Sequence, residues 1–400
     1  MSRDPAAPGM RPVVTLGLLS TFGPLSLDLY LPALPELSDD LQSTASAAQL
    51  TITACLVGLA VGQLVAGPLS DRFGRRRPLL LGLVAYLLAS AACAAAPSVE
   101  VLVALRLVQG LAGAAGLVIA RAVARDLYEG RTLVLFFARL TLISGLAPVV
   151  APVLGGQLSR VMSWRGIFGV LAGFGAVLLV AGLLQRETLP PGRRSHGGLG
   201  GSLRGFGVLL HDRYFLGAAL SSGLAAASMF AYIAGATFVL QRIYGLSAQS
   251  FSIVFGLNAV GIMAVSGVAS RLSRTWPAAR VLALGLAVNL LGAASLAATV
   301  LLGLGLGFVI GSLFVMVSAL GLVFPTATAL AMADYPEQAG AASSVLGLTQ
   351  FAFGALVAPL VGIAGEDSAV PLGVVAVSAS AAASLVYLTF VVPAVRRSRP

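Results

Sequence analysis

Long apolar runs alternate with short polar or glycine- and proline-rich interruptions along the whole chain. A helix needs about 20 apolar residues to cross a hydrocarbon core of about 30 Å. Cutting the sequence at its interruptions gives runs of this length at residues 12–35, 47–69, 78–97, 100–123, 132–158, 164–185, 214–241, 247–270, 279–301, 303–331, 338–364 and 370–393. The boundary between the ninth and tenth runs is the weakest, because only the glycine-rich stretch 303–307 marks a turn there. The pattern predicts an all-α integral membrane protein with twelve transmembrane helices.

The composition supports a membrane protein and disfavours a soluble one. Hydrophobic residues make up 58% of the 400 residues and charged residues only 10%, whereas a soluble domain carries about 25% charged residues. Cys55 and Cys93 lie within apolar runs and lack the spacing of zinc ligands, so we expect them to pack in the interior. The sequence predicts a protein embedded in a lipid bilayer, with no metal and no cofactor.

The distribution of arginine predicts the orientation of the chain. The net charge is +10, but the arginines sit in short clusters between apolar runs, which does not suit a nucleic-acid partner. Loops on the cytoplasmic side collect basic residues. If both termini are cytoplasmic, all of the 25 basic residues fall in inside segments except Arg106, Arg160, Arg165 and Arg242. We expect an even number of spans and a first run retained as a membrane helix rather than removed as a signal peptide.

The longest hydrophilic stretch divides the chain into two halves. Residues 187–213 are rich in glycine, proline and arginine, as expected for a cytoplasmic linker between six-helix bundles at 1–186 and 214–400. The two histidines, His196 and His211, both lie there and are expected to be solvated.

The halves also show a weak internal repeat. The sequence GPLSDRFGRRRPLLLGL (67–83) after the second run is echoed by GVASRLSRTWPAARVLALGL (267–286) after the eighth run. Duplicated halves around a central site are typical of transporters.

Two charged residues, Asp28 and Arg106, lie well inside predicted spans. Such charges cost about 2.5–3.5 kcal/mol each on insertion scales and often mark functional sites. Counting residues from the helix ends places both roughly 10 Å below the same membrane surface, so we expect them to face one cavity. Either they form a structural ion pair between the first and fourth helices, or Asp28 is a protonatable group whose proton affinity changes with the shape of the cavity.

Neighbouring residues extend this candidate site. Tyr30 offers an aromatic face near the acid, although it is equally suited to an interfacial belt. Gln109 lies on nearly the same helix face as Arg106. Glycines recur every three residues at positions 110, 113 and 116, a spacing that predicts close packing between helices.

The loop after the second run combines glycines with opposite charges. Its notable residues are Gly67, Asp71, Arg72, Gly74, Arg75 and Arg76. Gly74 suits a tight chain reversal, and Asp71 is expected to meet a helix N-terminus or an arginine such as Arg125. An arginine cluster that only sets the topology is the alternative, but it leaves Asp71 and the glycines unexplained.

Several segments resemble a known transporter family. The stretches GPLSDRFGRR, RLVQGLAGAA and APVLGG resemble three motifs of the major facilitator superfamily, in the right order. More narrowly, DLYLPALP, FAYIAGATFVLQ, FSIVFGLNA and GAASSVLGLTQF are similar to the bicyclomycin/chloramphenicol resistance (Bcr/CflA) drug:proton antiporters. The resemblance covers nearly the whole chain.

The resemblance implies a fold, a function and a set of site residues. The fold is a major facilitator fold of two pseudo-symmetric six-helix bundles, and the function is export of hydrophobic drugs in exchange for protons by alternating access, across the bacterial cytoplasmic membrane. By motif match Asp28 is the first-helix acid, Arg106 the fourth-helix arginine, and Asp71, Arg72 and Arg75 are gating-loop charges. The bent antiporter helix contains Gly145, Pro148, Pro152, Gly155 and Gly156.

The expected substrate cavity is mostly apolar with a few polar groups. Besides Asp28 and Arg106, the candidate lining residues are Tyr30, Gln109, Met229, Phe230, Tyr232, Phe238, Asn258 and Gln350. The aromatics of the seventh helix are equally compatible with plain helix packing. The first helix carries no second acid, which leaves the number of protons and the handling of cationic drugs open.

Other functions fit the sequence less well. We expect the transporter to be a monomer. Export of the cell's own metabolite or secondary product is the alternative that the same cavity allows. A channel needs rings of charge or carbonyl filters, and an enzyme needs a cluster of catalytic side chains. No nucleophile, metal-binding or nucleotide-binding motif is present in the sequence.

Overall fold

The structure, a computed structural model, describes residues 10–128, 130–194, 209–333, 335, 339–363, 365 and 368–397. Within these residues every regular element is a helix. His196 and residues 195–208 of the expected linker lie outside the described part of the chain.

The first predicted run is a broken helix rather than a single one. Its pieces are α1 (Met10–Leu19), α2 (Phe22–Asp28), a 3-10 turn (Leu31–Ala33) and α3 (Leu34–Asp40). Proline occupies the first turn of each of the last two pieces. Because proline has no backbone N–H, it begins a helical segment readily and interrupts a continuing one.

The remaining five spans of the N-terminal half are continuous helices. They are α4 (Ala45–Phe73), α5 (Arg76–Ala94), α6 (Val99–Leu127), α7 (Gly130–Leu158) and α8 (Trp164–Leu183). Side-chain oxygens cap two of them, since Thr44 accepts from the Ala47 N–H and Ser98 from the Val101 N–H.

The C-terminal half also contains six spans. Its helices are α9 (Arg213–Phe238), α10 (Ala248–Leu272), α11 (Ala278–Leu301), α12 (Leu306–Ser318), α13 (Leu320–Ala333), α14 (Ala339–Val357), α15 (Val370–Val386) and α16 (Val392–Arg397). The tenth span (α12 and α13) and the twelfth (α15 and α16) consist of two helices each. One π-helical turn, Val239–Ile243, continues α9, and a second, Tyr387–Val391, joins α15 to α16. The weak boundary after the ninth run is confirmed, because α11 ends at Leu301 and Gly303 takes a positive φ of 64°.

The helices account for all twelve predicted spans. Ten helical segments in the described part of the chain are long and apolar enough to cross a membrane, where α12 with α13 and α15 with α16 each count as one segment. The broken first segment and α7 supply the other two, so the protein is a multi-pass membrane protein with the predicted fold.

The two ends of the bundle differ in their contacts. We call the end with Met10, the 71–77 loop and Arg397 the terminal side, and the end with the α3–α4 and α9–α10 connections the far side. At the far side the halves are joined by hydrogen bonds from Gln49 Nε2 to Ala234 O (3.1 Å), Gln241 Nε2 to Pro32 O (3.1 Å) and Gln249 Nε2 to Gly156 O (2.8 Å), and by an ion pair between Arg242 and Asp39. The halves are therefore closed on one another at the far side.

Glycines allow the closest approach between helices of the N-terminal half. A Cβ on Gly110 of α6 would collide with the Cys55 carbonyl oxygen, and one on Gly58 of α4 would collide with the Leu107 carbonyl oxygen. A Cβ on Gly113 would meet only Tyr86 and Phe22, at 3.5 Å or more. A Cβ on Gly116 would lie 2.6 Å from the Phe22 ring. The predicted packing role thus holds for Gly110 and Gly116 but not for Gly113.

Candidate substrate cavity

A cavity of about 490 Å³ lies between the two halves. It is bounded by α2 and α7 of the N-terminal half and by α9, α10, α12, α13 and α14 of the C-terminal half. The lining residues are Gly23, Leu27, Asp28, Pro148, Met229, Phe230, Tyr232, Ile233, Phe255, Asn258, Ala259, Ile262, Met263, Ser266, Val317, Phe324 and Phe351. Nearly all of these side chains are apolar, so the cavity suits a hydrophobic ligand.

The cavity extends from the middle of the bundle toward the terminal side. Along α10 its lining runs from Phe255 to Ser266, a rise of about 17 Å at 1.5 Å per residue. Contacts between the halves close the far side. This is the geometry of a transporter whose central site faces the terminal side.

Asp28 places a carboxyl group in this apolar wall, as predicted. The residue ends α2, is 5% exposed and is the only acidic residue among those that line the cavity. The ion pairs within the described residues do not include it. A buried carboxyl without a counter-ion is costly when charged.

The C-terminal half contributes two polar side chains to the same wall. Asn258 Nδ2 of α10 donates to the Tyr232 hydroxyl oxygen of α9 at 2.9 Å. The Tyr232 ring stacks on Phe255 with centroids 5.0 Å apart and an interplanar angle of 22°. Tyr232 and Asn258 were both predicted from the sequence. Together with Met229 and Phe230, which were also predicted, they line the cavity.

Arg106 does not face the cavity, which corrects the expectation that it shares one with Asp28. Its side chain is fully buried, and the guanidinium lies 4.5 Å from the Tyr30 ring centroid and 5.6 Å from that of Phe168. Arg106 Nη1 donates to Gln109 Oε1 (2.5 Å) and Nε to Thr51 O (3.3 Å). The cation is thus held by aromatic faces and neutral oxygens rather than by a carboxylate.

Two other predicted lining residues belong to this buried layer. Gln109 Nε2 donates to Ser90 Oγ at 2.7 Å, and the Tyr30 hydroxyl bonds Thr51 Oγ1 at 2.9 Å. Both Gln109 and Tyr30 are fully buried, so Tyr30 is not an interfacial belt residue. Asp28 and Tyr30 leave the broken first span in different directions, one to the cavity and one to the bundle interior.

Phe238 and Gln350 also lie away from the cavity lining. Phe238 is 4% exposed and packs in the central hydrophobic core. Gln350 donates through Nε2 to Ser222 Oγ at 3.0 Å within the C-terminal half, while the adjacent Phe351 lines the cavity. The prediction was wrong for these two positions. Phe238 packs into the core at the end of α9, and α14 turns Phe351 rather than Gln350 to the cavity.

Most of the apolar wall was not predicted from the sequence. Phe255, Ile262, Met263, Phe324 and Phe351 line the cavity without having been predicted. Membrane helices are apolar on every side, so periodicity does not separate these residues from those that face lipid. The recurrence of Phe255, Asn258, Ala259, Ile262 and Ser266 at intervals of three and four along α10 is the signal available in the sequence.

A second polar cluster forms on the terminal side around Arg75, and we call it the loop network. Arg75 forms an ion pair with Asp71, its Nε donates to Asp126 Oδ2 at 2.9 Å, and its Nη1 donates to Ser70 Oγ at 2.8 Å. The expected partner Arg125 is exposed instead. The arginine that pairs with Asp71 is Arg75 rather than Arg125. Asp126, the residue after Arg125 on α6, is the second acidic partner of Arg75.

Glu187, just after α8, completes the loop network and was not predicted. Its carboxylate accepts from the backbone N–H groups of Arg75 (2.8 Å) and Arg76 (3.1 Å) and of Thr188 and Leu189 (both 3.0 Å). Partial burial acts to raise the pKa of Glu187, but these backbone donors outweigh it and hold the pKa below its ordinary value. Gly74 confirms the expected tight turn, with φ 87° and a Cβ position blocked by Glu187.

The other loop residues have weaker structural roles. The exposed Arg72 guanidinium lies 5.2 Å from the Phe73 ring centroid, and Arg76 Nη2 donates to Leu183 O at 2.9 Å. Gly67 lies within α4, where a Cβ would meet only Val118 at 3.8 Å.

With the fold and site described, comparison with known proteins identifies the family. The sequence model of the Major Facilitator Superfamily matches residues 16–359. The chain belongs to the major facilitator superfamily.

Within the superfamily, relatives named for drug resistance place the chain in the Bcr/CflA family. It is 34% identical to the bicyclomycin resistance protein homolog of Haemophilus influenzae over 363 residues, which cover 90% of this chain and 91% of the relative. It is 33% identical to the chloramphenicol resistance protein of Pseudomonas aeruginosa over 290 residues (71% and 68%). An uncharacterized MFS-type transporter of Bacillus subtilis, YdgK, is 41% identical over 364 residues (90% of each chain).

Solved structures agree with the major facilitator fold. A crystal structure of the nucleoside transporter NupG superposes with a TM-score of 0.73 at 14% sequence identity, covering 95% of this chain and 98% of that one. At this identity the likeness concerns the fold.

In this major facilitator transporter, the proposed antiporter helix is α7. It remains helical through Pro148 and Pro152, and Pro148 lines the cavity. A Cβ on Gly155 would collide with the Leu29 carbonyl oxygen, and one on Gly156 with the Ser252 hydroxyl of the opposite half. Gly145 belongs to α7, but its surroundings lie outside the described side chains. The two terminal glycines therefore let α7 meet both the first span and α10 closely.

Proposed function

We propose that this transporter exports hydrophobic drugs across the bacterial cytoplasmic membrane in exchange for protons, acting as a monomer. The observation that carries the proposal is the Asp28 carboxyl, which is unpaired in the apolar wall of the cavity between the halves. The names of the relatives from Haemophilus influenzae and Pseudomonas aeruginosa support drug resistance as the outcome.

The coupling follows from competition for one site. Charging a carboxyl in apolar surroundings is costly, so Asp28 is protonated when it has no partner, whereas a ligand group that donates a hydrogen bond to the carboxylate stabilises its charged form and displaces the proton. Ligand and proton then occupy the cavity in turn. When the cavity opens at the far side, the ligand leaves and a proton binds Asp28. The cavity then opens again to the terminal side, where the proton is released.

The proposed orientation places the terminal side in the cytoplasm. The arginine-rich 71–77 loop lies on that side, as do Met10 and Arg397, the first and last described residues, which agrees with the rule that cytoplasmic loops carry excess positive charge. Residues 187–213 then form a cytoplasmic linker between the halves. A cavity that faces the terminal side is open to drugs in the cytoplasm and the inner leaflet.

Susceptibility of an efflux-deficient bacterium that expresses the chain tests the proposal. Wild type is expected to raise the inhibitory concentration of chloramphenicol-like or bicyclomycin-like compounds, and Asp28→Asn is expected to remove that resistance, because the amide cannot exchange a proton. Glu100→Gln, at an exposed acid on the far side, serves as a control at matched expression. In everted vesicles, drug addition should release protons through wild type but not through Asp28→Asn.

Two results contradict the proposal. Absence of resistance to every compound with wild type favours export of a cellular metabolite. Full resistance in Asp28→Asn removes the coupling role from this carboxyl.

A further inference from the structure

The chain contains two asparagines, and only one of them meets the cavity. Asn258 lies in α10 and Asn289 in α11, and both are buried. In each, Nδ2 has a hydrogen-bond acceptor, whereas Oδ1 has no partner in the described part of the protein. Asn258 lines the cavity and Asn289 does not.

The Tyr232–Asn258 pair has one open donor and one open acceptor. The Tyr232 hydroxyl oxygen accepts from Asn258 Nδ2 at 2.9 Å, which leaves the phenolic proton available for donation. Asn258 Oδ1 is left as an acceptor. These two groups lie side by side in a wall that is otherwise apolar apart from Asp28 and Ser266.

A single hydroxyl oxygen satisfies both sites at once. It donates its proton to Asn258 Oδ1 and accepts the Tyr232 proton on its own oxygen. An amide N–H lacks the acceptor at the same atom, and an ammonium group also lacks it. A buried polar atom that lacks a partner favours any ligand that supplies one.

Side chains around Asn258 can rearrange to admit such a ligand. Asn258 is 1% exposed, so a ligand reaches it by displacing neighbouring side chains. Met229 and Met263 lie in the same lining, and unbranched methionine side chains rearrange easily around different shapes.

We propose that Tyr232 and Asn258 determine specificity by binding a terminal hydroxyl group of an uncharged, largely apolar ligand. This inference rests on the proposed function and adds the ligand class to it. The hydroxyl is held on the C-terminal half, which leaves Asp28 on the N-terminal half to exchange its proton.

Two drugs that differ in one group test this assignment. Thiamphenicol carries a primary hydroxyl that fluorine replaces in florfenicol, and fluorine cannot donate a hydrogen bond. Equilibrium dialysis with detergent-purified protein measures the affinity for each drug. One net hydrogen bond corresponds to about fivefold in affinity, so wild type is expected to bind thiamphenicol about fivefold more tightly.

Variants test whether the preference for thiamphenicol over florfenicol depends on Tyr232 and Asn258. Asn258→Leu is expected to weaken thiamphenicol binding to the level of florfenicol, whereas the matched Asn289→Leu should keep the preference. Asn258→Ser, which retains a small acceptor, should keep part of the preference, and Asn258→Ala should lose it. These smaller variants make the test independent of whether leucine is accommodated in the fold. Tyr232→Phe removes the donor and should also reduce the preference.

The outcomes separate this inference from the proposed function. Equal affinity of wild type for the two drugs, or an equal loss for both drugs in Asn258→Leu and Asn258→Ala, overturns the hydroxyl assignment while export stands. Resistance to other compounds without thiamphenicol binding likewise overturns the ligand class alone. If wild type gives no resistance to any drug and binds neither thiamphenicol nor florfenicol, both the proposed function and this inference are wrong.

Discussion

At the scale of single residues, the two intramembrane charges have different environments. Asp28 ends α2 at the cavity wall, where water and ligand can alter its surroundings. Arg106 is enclosed by Tyr30, Phe168 and Gln109. An arginine keeps its charge in such surroundings, so it acts as a fixed cation, whereas the carboxyl is the group that can change charge.

Gly110 provides a stability prediction at the same scale. Gly110→Ala places a Cβ against the Cys55 carbonyl oxygen, an atom of the α4 backbone that cannot move aside alone. Overpacking of this kind costs about 1–3 kcal/mol. We expect a lower melting temperature in detergent, measured by thermal unfolding of the purified protein.

Gly113 is the matched control in the same helix. A Cβ there meets Tyr86 and Phe22 at ordinary contact distances, and alanine favours a helix over glycine by up to about 1 kcal/mol. Gly113→Ala should therefore leave stability unchanged or raise it. An equal loss in the two variants would show that α6 does not depend on its approach to α4.

At the scale of elements, the turn between α4 and α5 depends on Glu187. Glu187→Gln removes the charge that accepts four backbone N–H groups. Since Glu187 is exposed, solvent screening limits the expected loss to about 1 kcal/mol or less. Thermal unfolding at neutral pH should show a modestly lower melting temperature for the variant.

The pH dependence distinguishes charge from shape at this turn. The folded-state pKa of Glu187 lies below its ordinary value, so its contribution is present above the unfolded pKa of about 4.3 and is lost as the pH falls through the folded value. The difference between wild type and Glu187→Gln should shrink over that range. A difference that stays constant with pH would assign the effect to packing.

Sequence patterns predicted the elements better than the faces they present. Charge interruptions and the glycines near 303 located the spans, because a membrane imposes a length on every helix. Asn258 and Asp28 were found because polar groups are rare in these helices. Phe324, Phe351 and Glu187 were missed, since their roles depend on which helices meet across the bundle, and helices apolar on all sides do not encode that in their periodicity.

At the scale of the whole molecule, the far-side contacts favour the observed conformation. The Arg242–Asp39 ion pair joins the π-helical end of α9 to α3, and its side chains are 34% and 63% exposed. Exposed pairs contribute about 0.2–1 kcal/mol, so Arg242→Gln is expected to raise the population open at the far side by at most about fivefold.

Spin labels measure this shift between the halves. Arg160→Cys and Ser250→Cys provide exposed sites on opposite halves at the far side, after replacement of the two buried cysteines. Double electron–electron resonance should show a longer-distance population that grows in Arg242→Gln, and Arg274→Gln on the terminal side is the control. An unchanged distance distribution would mean that the neutral hydrogen bonds alone close the far side.

The presence of a single acid in the cavity wall also has an energetic consequence for the cell. A cycle that exchanges one proton for one uncharged ligand carries one net positive charge inward. The membrane voltage then adds about 2.3 kcal/mol per 100 mV to each cycle, on top of the pH difference. Exchange of one proton for a monovalent cation is electrically silent and gains nothing from the voltage. If Asp28, the acid among the residues that line the cavity, carries the one exchanged proton as proposed, export of uncharged compounds therefore continues at an external pH where the chemical gradient of protons has vanished.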